Sequence, residues 1–201
     1  MSTEHALAAA RAAIDAVHAR DPEQRDGRPA ELAYADAMEA WVLRLRPDAD
    51  PVLRLAARAQ HLARWELPRA AYPMDRAGYL RWRSEQYHRQ AALAGALCRA
   101  AGVAEADAQR LERLVAKRDL KQPDGQLIED AACLVFLERE ALDFARAHPE
   151  YDRAKLCEIL AKTLRKMSAA ARAAALALPL PAPLAELLQA AHARLQPASP
   201  A

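Results

Sequence analysis

Residues 58–88, RAQHLARWELPRAAYPMDRAGYLRWRSEQYH, decide how this chain is read. Two helical patterns flank a proline-interrupted loop, LPRAAYPMD (67–75). Two of the three tryptophans, three of the five tyrosines and two of the six histidines fall in this stretch, with six arginines. The groups able to do polar chemistry therefore gather around one loop, in a chain otherwise rich in alanine and leucine.

Upstream of the loop, Asp50 as N-cap and Pro51 in the first turn open a helix over 51–65, which Pro68 ends. Downstream, a long helix covers 76–101 and closes at Gly102. Helical spacing recurs over 3–19, 30–46, 104–118, from 124 or 125 to just before Pro149, and over 151–166. Ser168 caps a short alanine-rich helix, and Pro183 opens a last one running through 195. DPEQRDGRP (21–29) and DLKQPDGQ (119–126) read as loops, LPLPAP (178–183) as a stiff linker, and 197–201 as a frayed tail. Glycine is scarce, and no strand-like alternation extends beyond a few residues. The sequence predicts an all-α fold, one compact domain over 1–201, with seven to nine helices and no sheet. Its centre falls on the helices at 51–65, 77–101 and 126–147.

The formal charge of +2 balances 29 basic against 27 acidic groups, so nucleic acid is not a favoured partner. No apolar run approaches the ~20 residues of a membrane span, and the first residues lack the basic start of a signal peptide. A cytoplasmic protein away from membranes is the expectation. Cys98, Cys133 and Cys157, odd in number and widely spaced, read as buried reduced thiols. A glycine-rich phosphate loop, HExxH, paired CxxC and a nucleophile elbow are all missing. Nicotinamide, flavin and haem are not expected. The oligomeric state stays open.

Within the polar centre, helical steps put Arg54, Arg58, His61 and Trp65 on one stripe of the 51–65 helix. His61 reads either as a core-edge histidine bonded to a carbonyl, or as a metal ligand or acid–base group beside arginines. Asp130 projects from an apolar face of Leu127, Leu134, Leu137, Ala141 and Phe144. A buried carboxylate needs a partner: a metal, an arginine, a histidine or backbone amides. Glu129 lies toward the rim. Arg64, Arg69, Arg76 and Arg83 bracket the loop, which suits phosphate or carboxylate recognition; solvated arginines stacked on Trp65 and Trp82 are the plainer reading. Arg83 shares a strip with Tyr79, Gln86 and Gln90. His88 falls on a small-residue face. Lys155, Lys162 and Lys166 form a stripe that reads as a solvated face or an anion clamp.

QHLARWELPR (60–69), YPMDRAGYLRWR (72–83), QLIEDAACLVFLE (126–138) and KTLRKMS (162–168) together resemble the family catalogued as domain of unknown function 4202, over about 14–190. More distantly, LAARAQHLARWELP resembles the His-Asp helix of the HD superfamily of metal-dependent phosphohydrolases. On that mapping His61 takes the histidine position, while Leu62 stands at the metal-bridging aspartate and Tyr34 at the first histidine. His88 resembles an extra histidine of some members, and Asp130 the closing aspartate. The resemblance implies an HD-like helical arrangement with His61 and Asp130 at one site. Either a divalent metal is held by His61, Asp130 and His88, or metal chemistry is lost and an anion-binding pocket remains. In the first case His61, Asp130 and Glu129 carry phosphohydrolase chemistry on a phosphorylated small molecule or nucleotide. In both, Arg58, Arg64, Trp65, Arg69, Arg76, Arg83 and Lys117 would hold the anionic ligand. A third reading is a helical interaction protein displaying Tyr72, Tyr79 and Trp82.

Overall fold

Local capping chemistry starts most helices where the sequence places them. In the computed structural model, which describes residues 2–195, the Ser2 hydroxyl accepts the His5 amide to open α1 (Thr3–His18). Helix α2 (Ala30–Leu45) follows Pro29, which offers no cap. Buried Asp21 supplies one from the preceding loop, its carboxylate accepting the amides of Glu31 (2.8 Å) and Glu23 (3.0 Å). Asp50 caps α3 (Pro51–Arg58) and Asp75 caps α4 (Arg76–Ala100). The expected tail at 197–201 lies outside the described residues.

One short sheet corrects the all-helical expectation. Gln24–Arg25 (β1) and Arg28–Pro29 (β2) pair antiparallel across Asp26 and Gly27, both at positive φ (53° and 73°). Asp-Gly is a strong signal for this tight hairpin. It was hidden because strands of two residues show no alternation.

The chain divides into two compact units, Met1–Ile128 and Glu129–Ala201. In the first, α3 packs against α1, α2 and α5 (Glu105–Val115), and α4 lies along α5 and α1. The apolar core joins Ile14 of α1, Met38 and Val42 of α2, Leu53 and Ala56 of α3, Ala94 and Cys98 of α4, and Leu111 and Val115 of α5, all fully or nearly fully buried. Where α4 meets α5, a Cβ on Gly95 would lie 1.9 Å from a Glu112 carboxylate oxygen, so the helices approach this closely only across a glycine.

Charge also holds this unit together. Arg58, 2 % exposed, donates to Asp15 (2.6 Å), Asp36 (2.8 Å) and Glu39 (3.1 Å). Glu39, equally buried, also meets Arg11 (2.6 Å) and Arg54 (2.9 Å). Three arginines thus face three carboxylates where α1, α2 and α3 meet. Burial would raise the Asp36 and Glu39 pKa values, but hydrogen bonds from the arginines outweigh it and hold both below the ordinary range.

Two helix ends use the same hydrogen-bond pattern with different residues. Beyond α4, Gly102 (φ 82°) gives its amide to Arg99 and Val103 gives its own to Cys98. Beyond α5, Lys117 (φ 58°) gives its amide to Leu114 and Arg118 gives its own to Arg113. This left-handed position favours glycine. Lys117→Gly is therefore expected to raise folding stability by about 0.5–1 kcal/mol. A lowered urea midpoint would show that the lysine side chain matters more than its backbone.

Helix α6 (Pro123–Val135) begins in the first unit and runs into the second. It continues through a π turn (Phe136–Glu140) into α7 (Ala141–Ala147). The helix expected to end before Pro149 is thus interrupted in hydrogen bonding but not in direction. Phe136, Phe144, His148 and Tyr151 form a chain of ring contacts after it. Helices α8 (Arg153–Lys166), α9 (Ala169–Leu176) and α10 (Ala182–Ala193) complete the second unit, with α10 on α8 and α9. Leu160, Leu164, Ala171, Leu184 and Leu188 are buried there. The described residues thus hold ten α-helical segments rather than seven to nine, and the fold class is all-α.

All three cysteines are buried and free. Burial pushes the Cys98 thiol up to about 11. No helix among the described residues is long and apolar enough to cross a membrane.

Candidate functional site

The helix that the sequence extends to Trp65 stops at Arg58, and this break creates the site. In a continuing helix the His61 amide would bond to Ala57; here it donates to the Gln90 side chain at 3.2 Å. The Gln60 side chain turns back onto the Ala56 carbonyl. His61 (φ 63°) and Ala63 (φ 53°) both adopt left-handed backbone, and a 3-10 turn follows at Arg64–Glu66. Histidine tolerates that region better than most residues, whereas alanine does not. The Arg54–Arg58–His61–Trp65 stripe is consequently cut after Arg58.

Helix α4 holds the broken segment. Trp82, Gln86 and Gln90, spaced by four, are all buried. The Trp82 indole donates to the Leu67 carbonyl (2.8 Å), and Gln86 donates to the Arg64 and Leu67 carbonyls (2.9 Å each). Gln90 donates to the Gln86 oxygen (3.1 Å). The polar strip read on this helix therefore reaches the loop, with Gln86 and Gln90 as its working members.

His61 is clamped from both sides of its ring. Nδ1 donates to the Glu31 carboxylate at 3.2 Å, and Nε2 accepts from the Arg64 guanidinium at 2.7 Å. This pattern assigns a neutral imidazole carrying its proton on Nδ1. Tyr34 stacks face to face on the ring (centroids 4.2 Å, planes 9° apart). The Arg64 guanidinium also lies 5.1 Å from the Trp82 ring centre. Burial would raise the Glu31 pKa, but His61 and then Arg64 lower it overall. His61 stays 26 % exposed, so a solute can reach it.

Beneath this cluster His18 is fully buried, with Nε2 bonded to the Arg58 carbonyl (2.9 Å) and Nδ1 without a partner. Burial dominates and lowers its pKa from 6.5 despite the carbonyl contact. A depressed folded pKa means the folded state binds fewer protons than the unfolded one, so stability is full above pH 6.5 and declines as pH falls below it. His18→Gln is expected to flatten that decline in urea titrations between pH 6.5 and 5. An unchanged slope would exclude His18 as its source.

The other residues singled out in the sequence have their own surroundings. Arg58 belongs to the buried charge cluster. Arg69 ties the loop by donating to the carbonyls of Tyr72, Pro73 and Asp75, beside the Tyr79 ring. Arg83 bonds the Tyr87 hydroxyl, Trp65 is half-buried and Arg76 is exposed. Lys117 occupies the α5 terminus, and His88 lines a groove between α4 and α5. In the second unit Asp130, 3 % exposed, accepts the Ser168 amide at 2.8 Å, and Glu129 faces Lys166 at 3.7 Å. Trp82 is buried, while Tyr79 (42 %) and Leu80 (52 %) are exposed. Glu31 escaped the sequence reading; its signal was an acid three residues before Tyr34 in the first turn of α2.

The donor set does not fit a metal at His61. Among the described residues no group of three or more His, Cys, Asp or Glu side chains could hold an ion. A guanidinium also faces the Nε2 lone pair that an ion would take.

An all-helical fold with one clamped histidine is the class that these features define. The chain belongs to the family described as Domain of unknown function (DUF4202), whose model matches residues 8–188. No curated protein and no solved structure matches it.

Proposed function

We propose that the protein binds a small anionic ligand, a phosphorylated or carboxylated molecule, at Arg64 and His61. The observation that carries this reading is the state of Arg64. Among the described residues it makes no ion pair; its guanidinium rests on a neutral imidazole and an indole face. A cation held at a partly exposed, conformationally strained turn is ready to exchange that weak partner for an anion. Arg76, exposed at the start of α4 and also without an ion pair among the described residues, adds a second positive charge near the loop.

Thermal unfolding with inorganic phosphate, organic phosphates and nucleotides tests the proposal. A true ligand at 100 times its Kd stabilises the fold by about 2.7 kcal/mol. Arg64→Ala is expected to weaken binding at least tenfold, the scale of about 1.4 kcal/mol for a charge-assisted bond. Binding unchanged in Arg64→Ala would remove the site. Stabilisation without turnover fits a binding module, whereas phosphate release dependent on a divalent metal would favour the phosphohydrolase reading.

A further inference from the structure

A second binding place lies between α4 and α5, sharing none of the His61 cluster's residues. It is an open groove of about 560 Å³, large enough for a small organic molecule. Ala91, Ala92 and Ala116 form its floor, and His88, Arg113 and Arg118 stand around it. Glu112, the carboxylate of the lining, is bound by Arg99 at 2.6 Å, and Arg113 is paired with Asp119 at 3.2 Å. Arg118 is exposed and, among the described residues, has no ion pair. The balance of the groove is thus one unmatched positive charge beside an apolar floor, with an exposed imidazole opposite.

The backbone points the same way. Arg118 is carried into the lining by the left-handed Lys117, where a glycine would turn the chain without strain. A strained residue kept next to a groove fits a role in shaping it. We infer that this groove takes a small monoanion with a flat apolar body: the body lies on the alanines, the anion meets Arg118, and His88 supplies a further hydrogen bond.

The test uses the full chain and three probes of matched shape: benzoate, phenyl phosphate and uncharged benzyl alcohol. Amide chemical shifts are followed during each titration. The two anions should shift residues 88–92 and 112–118 in a saturable way, with benzyl alcohol at least about fivefold weaker, the scale of one charge-assisted bond. Arg118→Ala should erase the preference for the anions. Ala92→Phe fills the groove from an exposed position, leaving the core untouched, and should abolish binding of all three. Shifts centred elsewhere, equal affinity for the alcohol, or anion binding that survives Ala92→Phe would each overturn the assignment.

Discussion

Arg58→Ala is expected to cost about 3–5 kcal/mol of folding stability, because it removes the shared partner of carboxylates brought together by three helices. Glu39 would keep Arg11 and Arg54, while Asp15 would lose its 2.6 Å bond. Arg58→Met retains most of the stem's packing and separates lost charge from lost volume. Arg58→Lys should fall between wild type and alanine, since one ammonium cannot reproduce the guanidinium's directed bonds to three acids. Urea denaturation at pH 7 reads all three; a loss below about 1 kcal/mol for alanine would mean that the cluster is solvated in practice. Acid provides an independent reading. Asp36 and Glu39 have folded pKa values below their ordinary 3.8 and 4.5. Their contribution is therefore complete above those values and disappears as pH falls through the lower, folded ones. The arginine variants should show a shallower acid slope.

Asp130→Ala is the second large effect, expected at about 3 kcal/mol. The carboxylate is nearly inaccessible and accepts the amide of Ser168, the residue whose own hydroxyl caps α9. Removing it strips the helix start of its anchor and leaves a buried N–H without that acceptor. Asp130→Asn retains an oxygen there and should recover most of the loss. Hydrogen exchange locates the effect: amides at 168–172 should lose protection in alanine and keep it in asparagine. A loss under about 1 kcal/mol with unchanged exchange would show that the carboxylate is dispensable to α9.

Legibility followed the range of the interactions. Asp50, Asp75, Ser168 and Gly102 act within a few residues of themselves, so the sequence placed their helix ends closely. The end of α3 was misplaced because its cause is distant: Gln90, 29 residues away, takes the amide of His61. Nothing between 51 and 65 advertises that break, since QHLAR is acceptable helical sequence. Part of the site was legible for a related reason. His61, Arg64 and Trp82 are conspicuous residue types near one loop, and the structure brings them together. Glu31 was not, because an acid in a helix's first turn is ordinary and only tertiary packing turns it toward an imidazole. Asp130's need for a partner followed from its apolar surroundings, and a backbone amide was among the candidates named.

The π turn at Phe136–Glu140 makes the chain sensitive to length at one point. Its wider ring accommodates one residue more than an α-helix needs, so removing any residue there would let regular hydrogen bonding close over the gap. The backbone would repair itself, but every later side chain of α7 would rotate by about 100° about the axis. Phe144 would then leave its neighbours Phe136 and Tyr151. A single-codon deletion in this turn should consequently be more damaging than most substitutions within it. Changes in length tolerated by the neighbouring loops should be selected against here, where the helix keeps its phase by counting residues.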